Sequence, residues 1–179
     1  MNDLSSCFHA IHPEGASPEE RYIFGTTVLL ISVGSIILNV LLAVVLCRSA
    51  AIEKSVRPHI VSMVAGSLLC LFTNCWILVP TILGQMIILD PYNVVLATPD
   101  TVGYLMVMFT TTTMAVDRFL IFFMPQIRQS ISGSFLLYIM ALIPFSLSMI
   151  FTAHMNIIGC RKRVNPYTMS YTYACRWVT

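Results

Sequence analysis

The chain has 179 residues, 57% of them apolar and only 10% charged, with a mean hydropathy of +0.82 and a net charge of +2. A soluble domain carries about 25% charged residues, so this composition excludes one and points to a membrane protein. The charge is spread thinly, without a basic patch, which excludes nucleic acid as a partner.

A spanning helix needs about 20 apolar residues, so the length holds four or five spans and no separate soluble domain. Residues 1–21 are polar and lack the basic-then-apolar layout of a signal peptide; they read as an extracellular N-terminus. The transmembrane region is expected over 22–156, with a first span at 23–47 that is uncharged and carries one amide, Asn39. A short basic loop leads to a second span at 60–89 containing Asn74, Trp76 and Pro80. Pro80 is expected to kink its outer half, and Asp90-Pro91 to stop it. A third span is expected at 101–124, ended by Pro125, and a fourth at 134–153 with Pro144 inside it. Residues 157–179 are polar and aromatic and read as an extracellular tail, with a short hairpin expected within YTMSYTYA, whose aromatic and β-branched residues fit a strand. Short loops make successive helices antiparallel. The expected fold is therefore all-α: four antiparallel transmembrane helices.

Basic residues of short loops favour the cytoplasmic side. Arg48, Lys54, Arg57, Arg118 and Arg128 fall at one end and Arg21 alone at the other, which places the N-terminus outside in the plasma membrane. The tail, with Arg161, Lys162, Arg163 and Arg176, runs against this count.

One charged pair, Asp117-Arg118, sits in the apolar stretch MAVDRFLIFFMP. At the cytoplasmic end of the third span the arginine can reach the headgroups, which makes the pair tolerable. The spacing from Asp117-Arg118-Phe119 to Pro125, opening a basic loop, resembles the end of the third helix of rhodopsin-like G-protein-coupled receptors. Asn39 in the first helix and the SMVAGS run of the second agree with it. The short N-terminus, VDRFLIFFMP and the Cys- and Tyr-rich segment after helix four resemble nematode serpentine chemoreceptors, nearest the Srx type.

This resemblance implies the first four helices of a seven-helix bundle, with the chain ending in mid-loop at Trp177-Val178-Thr179. It implies a chemosensory receptor that binds a small-molecule or peptide ligand and signals to a heterotrimeric G protein once helices five to seven complete it. Asp117 would restrain Arg118 at rest. There are departures: Ser67 stands where that family has a helix-two Asp, helix three begins without its Cys, and helix four lacks its Trp. The alternatives are a four-span adaptor that pairs with full-length receptors as a dimer, or a transporter fragment, for which paired helix breaks would be expected.

Asn39 and Ser67 are intramembrane polar residues, and like Thr110 to Thr113 they suit hydrogen bonding between helices. Asn74, Trp76 and Tyr104 lie in the outer half and are the candidate ligand pocket, although Trp76 fits a lipid-facing position equally well. Cys7, Cys160 and Cys175 make an odd number outside; Cys160 with Cys175 is the expected disulfide. His9 and His12 have no third ligand nearby, and His59 and His154 lack a partner at ligand spacing. No nucleophile elbow, zinc-protease helix motif or phosphate loop occurs. No enzyme activity, metal or cofactor is expected.

Overall fold

The structure, a computed structural model, describes residues 16–48, 56–126 and 134–174. Four helices and a hairpin follow in chain order: α1 (Pro18–Arg48), α2 (Arg57–Gly84), α3 (Tyr92–Phe123), α4 (Ser134–Ile158), β1 (Arg161–Asn165) and β2 (Ser170–Ala174). Three of these helices, α1 to α3, are long and apolar enough to cross a bilayer, where four were expected. In α4 the apolar stretch found, Leu142–Ile158, is shorter.

The start of α1 is written in Ser17-Pro18-Glu19-Glu20. The Ser17 hydroxyl accepts from the Glu20 amide at 3.3 Å, and the Ser17 amide donates to the Glu20 carboxylate at 2.9 Å. This reciprocal box satisfies two of the donors that a helix start leaves open, with proline at the first helical position.

Proline also shapes α2. Pro80 cannot donate to the ladder, and its ring crowds the preceding turn. The helix absorbs this with a wider π turn over Asn74–Leu78, closed by the Val79 amide donating to the Asn74 carbonyl. Such a turn holds one extra residue within an α-helix. The helix then ends at Gly84, with Gln85 left-handed at φ 49°, so residues 85–89 leave the expected span.

The start of α3 departs further from expectation. The helix begins at Tyr92 rather than near residue 101, and it carries Pro99 inside it. NVVLATPD has the polar and proline residues of a loop. Thr98 nevertheless returns its hydroxyl to the Val94 carbonyl at 2.7 Å, a bond made within the helix.

Contacts show how the helices run. Ser62 meets Thr110, Gly66 meets Gly103, and Cys70 meets the Asp100 carbonyl, so α2 ascends as α3 descends. Arg57 reaches Leu46 and Arg21 reaches Ile82 and Leu83, which sets α1 against α2 in the same antiparallel sense. Those two arginines cap carbonyls that a helix end leaves without partners. Phe109 packs on Phe151, with ring centroids 5.7 Å apart, and joins α3 to α4.

Between α2 and α3 the approach is close because both sides are glycine. A Cβ on Gly103 would lie 2.5 Å from the Gly66 carbonyl oxygen. Membrane helices pack through such small residues because lipid supplies no hydrophobic drive for association. The Ser62 and Thr110 hydroxyls, both buried, share a hydrogen bond of 2.9 Å beside this contact.

The hairpin closes one end of the bundle. Val164 inserts among Ile77, Leu78, Ile82 and Ala97, with Val28, Ile88, Met169 and Tyr171 packed around them. Its backbone is held by a side chain: Asn93 on α3 accepts from the Val164 amide at 2.8 Å and donates to the Val164 carbonyl at 3.2 Å. The expected hairpin within YTMSYTYA does not form as such: only its second half, Ser170–Ala174, is a strand, and its partner is the preceding basic stretch RKRVN, Lys162 opposite Tyr173 and Val164 opposite Tyr171.

Candidate functional site

Alternation along β1 puts Lys162 and Val164 on the face turned to the helices. The Lys162 ammonium there forms an ion pair with the Asp100 carboxylate of α3, both side chains 12% exposed. The same ammonium lies 4.3 Å from the centroid of the Tyr171 ring and 5.7 Å from that of Tyr173. Aromatic faces attract a cation at such distances, more so where water is excluded.

The Tyr171 hydroxyl donates to Asn74 Oδ1 at 3.2 Å, tying β2 to the π turn of α2. Burial first, and the Asp100 charge second, push the Tyr171 phenol well above its ordinary value. It therefore stays protonated as a donor throughout the physiological range. At the rim Arg163 pairs with Asp90. Asp90, just before α3, and Asn93 and Asp100 on it thus clamp three consecutive residues of β1.

Beside this cluster lies a small recess of about 10 Å3 between α3, α4 and the hairpin. Thr98 and Thr101 line it from α3, Thr152, Met155 and Asn156 from α4, and Cys160, Lys162 and Tyr173 from the hairpin and its approach. It is smaller than the usual pocket for a drug-sized molecule. The Thr152 side chain is buried, and its hydroxyl has no hydrogen-bond partner among the described residues.

Of the residues expected to line a pocket, only Asn74 joins this cluster. Trp76 is 81% exposed and Tyr104 59% exposed, so both point away from the bundle. Asn39 turns its amide to the Ser35 carbonyl of its own helix at 2.9 Å, and Ser67 is half-buried next to Gly66. Asp117 is buried and Arg118 half-buried near the opposite end of α3; Phe119 stacks on Phe123, and Pro125 is exposed. Cys160 is disulfide-bonded, whereas Cys47, Cys70 and Cys75 are free. Cys7, His9, His12 and Cys175 lie outside the described residues. Among the described residues no three His, Cys, Asp or Glu side chains gather to hold a metal.

Asp100, Lys162, Tyr171 and Asn93 were not singled out by the sequence reading. One signal pointed to the first of them: a carboxylate beside a long apolar run is a functional candidate by default. It was passed over because residues 90–100 read as a loop.

No curated protein and no solved structure matches the chain. A family model does match, over residues 21–179, and its description is a protein of unknown function, DUF621. This overturns the resemblance to rhodopsin-like receptors and serpentine chemoreceptors, because the match covers nearly the whole chain with a different family. The switch role that the resemblance gave Asp117-Arg118 loses its basis with it. The chain belongs to the DUF621 family.

Proposed function

We propose that this protein crosses the membrane with α1 to α4, N-terminus outside, and binds a small polar ligand at its outward, hairpin-covered end. The observation that carries this reading is the cluster of Asp100, Lys162, Tyr171 and Asn74 beside a recess, in a chain of which only 10% is charged. Replacing a buried ion pair with apolar residues is often neutral or stabilising, so packing alone does not call for this one. A recess opening beside the pair supplies a use for it.

The basic residues of the short loops support the orientation. Cysteine chemistry supports it independently. Cys160, at the hairpin end, is disulfide-bonded, whereas Cys47, at the other end of the bundle, is free. Disulfides persist on the oxidising side of a membrane.

A charged, membrane-impermeant thiol reagent applied to intact cells tests both halves. In a background lacking Cys7, Cys47, Cys70 and Cys75, Tyr173→Cys, at the exposed rim of the recess, is expected to be modified from outside and Gln126→Cys, at the opposite end, only after permeabilisation. The reverse pattern would reject the orientation. A panel of amino acids, short carboxylates, amines and halides is then applied as competitor. At least one should slow the labelling of Tyr173→Cys; if none does, the binding reading fails.

A further inference from the structure

We infer that the recess between α3, α4 and the hairpin is a site for a small monovalent anion of halide size, with chloride as its natural occupant. The inference deepens the binding reading above by naming the ligand class, and it rests on that reading for access from outside. Three observations converge on it.

The first is charge. Among the described residues Lys162 is the one charged side chain lining the recess, and no carboxylate of theirs lines it. Asp100 engages the Lys162 ammonium without itself forming part of the wall. An ammonium carries three protons, so it can serve a carboxylate and a second acceptor together.

The second is the unspent donor. The Thr152 hydroxyl is buried and has no acceptor among the described residues. A buried polar group left unmade costs about 1–3 kcal/mol, and no described residue relieves it. The Asn156 amide nitrogen donates to the Thr152 carbonyl at 2.9 Å and the Thr98 hydroxyl to the Val94 carbonyl at 2.7 Å, so these two lining donors are already spent, whereas that of Thr152 is not. An occupant that only accepts satisfies Thr152 and Lys162 without asking for a proton in return. A halide does so, and hydrogen bonds to a charged partner are the stronger kind.

The third is size. A cavity of about 10 Å3 is too little for a drug-sized molecule and matches a single particle of water or halide size. The Met155 side chain and the half-exposed Tyr173 ring add apolar wall to it.

The experiment uses the full chain in detergent or nanodiscs, with chloride and bromide as probes and gluconate, too large for the recess, as the reference anion at equal ionic strength. The wild type is expected to melt higher in chloride and bromide than in gluconate, with a saturable dependence, and to broaden the bromide resonance. Thr152→Val, which keeps the shape and removes the hydroxyl, should weaken halide binding roughly tenfold or more. In gluconate it should melt no lower than wild type, since it deletes an unpaired buried group. Thr152→Ser should restore the halide dependence.

Equal melting of the wild type in chloride and gluconate would overturn the inference, as would full halide dependence in Thr152→Val. These outcomes stand apart from the labelling test. If Tyr173→Cys, which keeps the Thr152 hydroxyl, is protected by an organic solute but not by halide, the binding reading survives and only the anion is wrong. If Tyr173→Cys cannot be reached from outside, the orientation fails while halide binding by the purified chain is still measured.

Discussion

Gly103→Ala is expected to destabilise the bundle by about 3 kcal/mol, the upper part of the range for overpacking a tight interior. The added methyl would lie 2.5 Å from the Gly66 carbonyl oxygen, 2.8 Å from Cys70 Sγ and 3.0 Å from Leu69 Cβ. The nearest of these is backbone, so no side chain can swing aside and α2 must move away from α3. That movement also stretches the Ser62–Thr110 hydrogen bond one turn further along and the Cys70 contact with the Asp100 carbonyl. Gly34→Ala on α1 is the matched control, because nothing lies within 4 Å of its added methyl. Alanine is the better helix former by roughly 0.5–1 kcal/mol, so Gly34→Ala should melt at or above wild type. Thermal unfolding followed by circular dichroism in one detergent decides the matter. Equal melting of the two variants would show that the glycine contact does not set the helix spacing.

The sequence made the course of the chain legible where a local rule acts alone. Ser17-Pro18-Glu19-Glu20 announces a helix start by capping chemistry, and Pro80 announces trouble in α2 because it lacks a donor. The form of that trouble, a π turn placing Asn74 toward the hairpin, depends on Tyr171 nearly a hundred residues away. No local rule contains it. Residues 90–100 were misread for a related reason: NVVLATPD has loop composition, and the helix there is stabilised by tertiary partners, with Asn93 and Asp100 both anchored on β1.

Facing was the least legible property. In a soluble helix the apolar stripe marks the buried side. In α1, where only Gly25, Ser32 and Leu46 are buried, apolar residues cover the whole surface and no stripe can mark a side. Hence Trp76 and Tyr104, plausible pocket residues by depth alone, turn outward. Asn74, whose amide must find a partner, turns inward. The charged residues were read for topology only, and the structure gives several of them a second task. Arg21 and Arg57 cap helix ends, Arg163 pairs with Asp90, and Lys162 pairs with Asp100.

That last pair carries the second large effect. Asp100→Ala is expected to undock the hairpin, since it leaves the Lys162 ammonium in a site with little water. Breaking a buried pair by removing one partner costs about 3–5 kcal/mol. The lower figure applies here, because both side chains keep 12% exposure and two tyrosine rings remain beside the cation. At about 1.4 kcal/mol for each factor of ten, the undocked population rises by roughly two orders of magnitude. Trypsin reads that population directly, because Arg161, Lys162 and Arg163 are consecutive cleavage sites on β1. When docking is fast relative to cutting, the cleavage rate follows the open fraction. Asp100→Ala should therefore be cut at the hairpin about a hundred times faster than wild type, as seen on a reducing gel. Adding Lys162→Met removes the stranded charge and replaces it with a flexible apolar side chain. Since an apolar substitute for a buried pair is often neutral, the double variant should return most of the way to wild-type resistance, with Arg161 and Arg163 still present as cleavage sites. A double variant cut as fast as Asp100→Ala would mean that the hairpin is held by the ion pair as such. An unchanged rate in Asp100→Ala would mean that Asn93 and Val164 hold the hairpin alone.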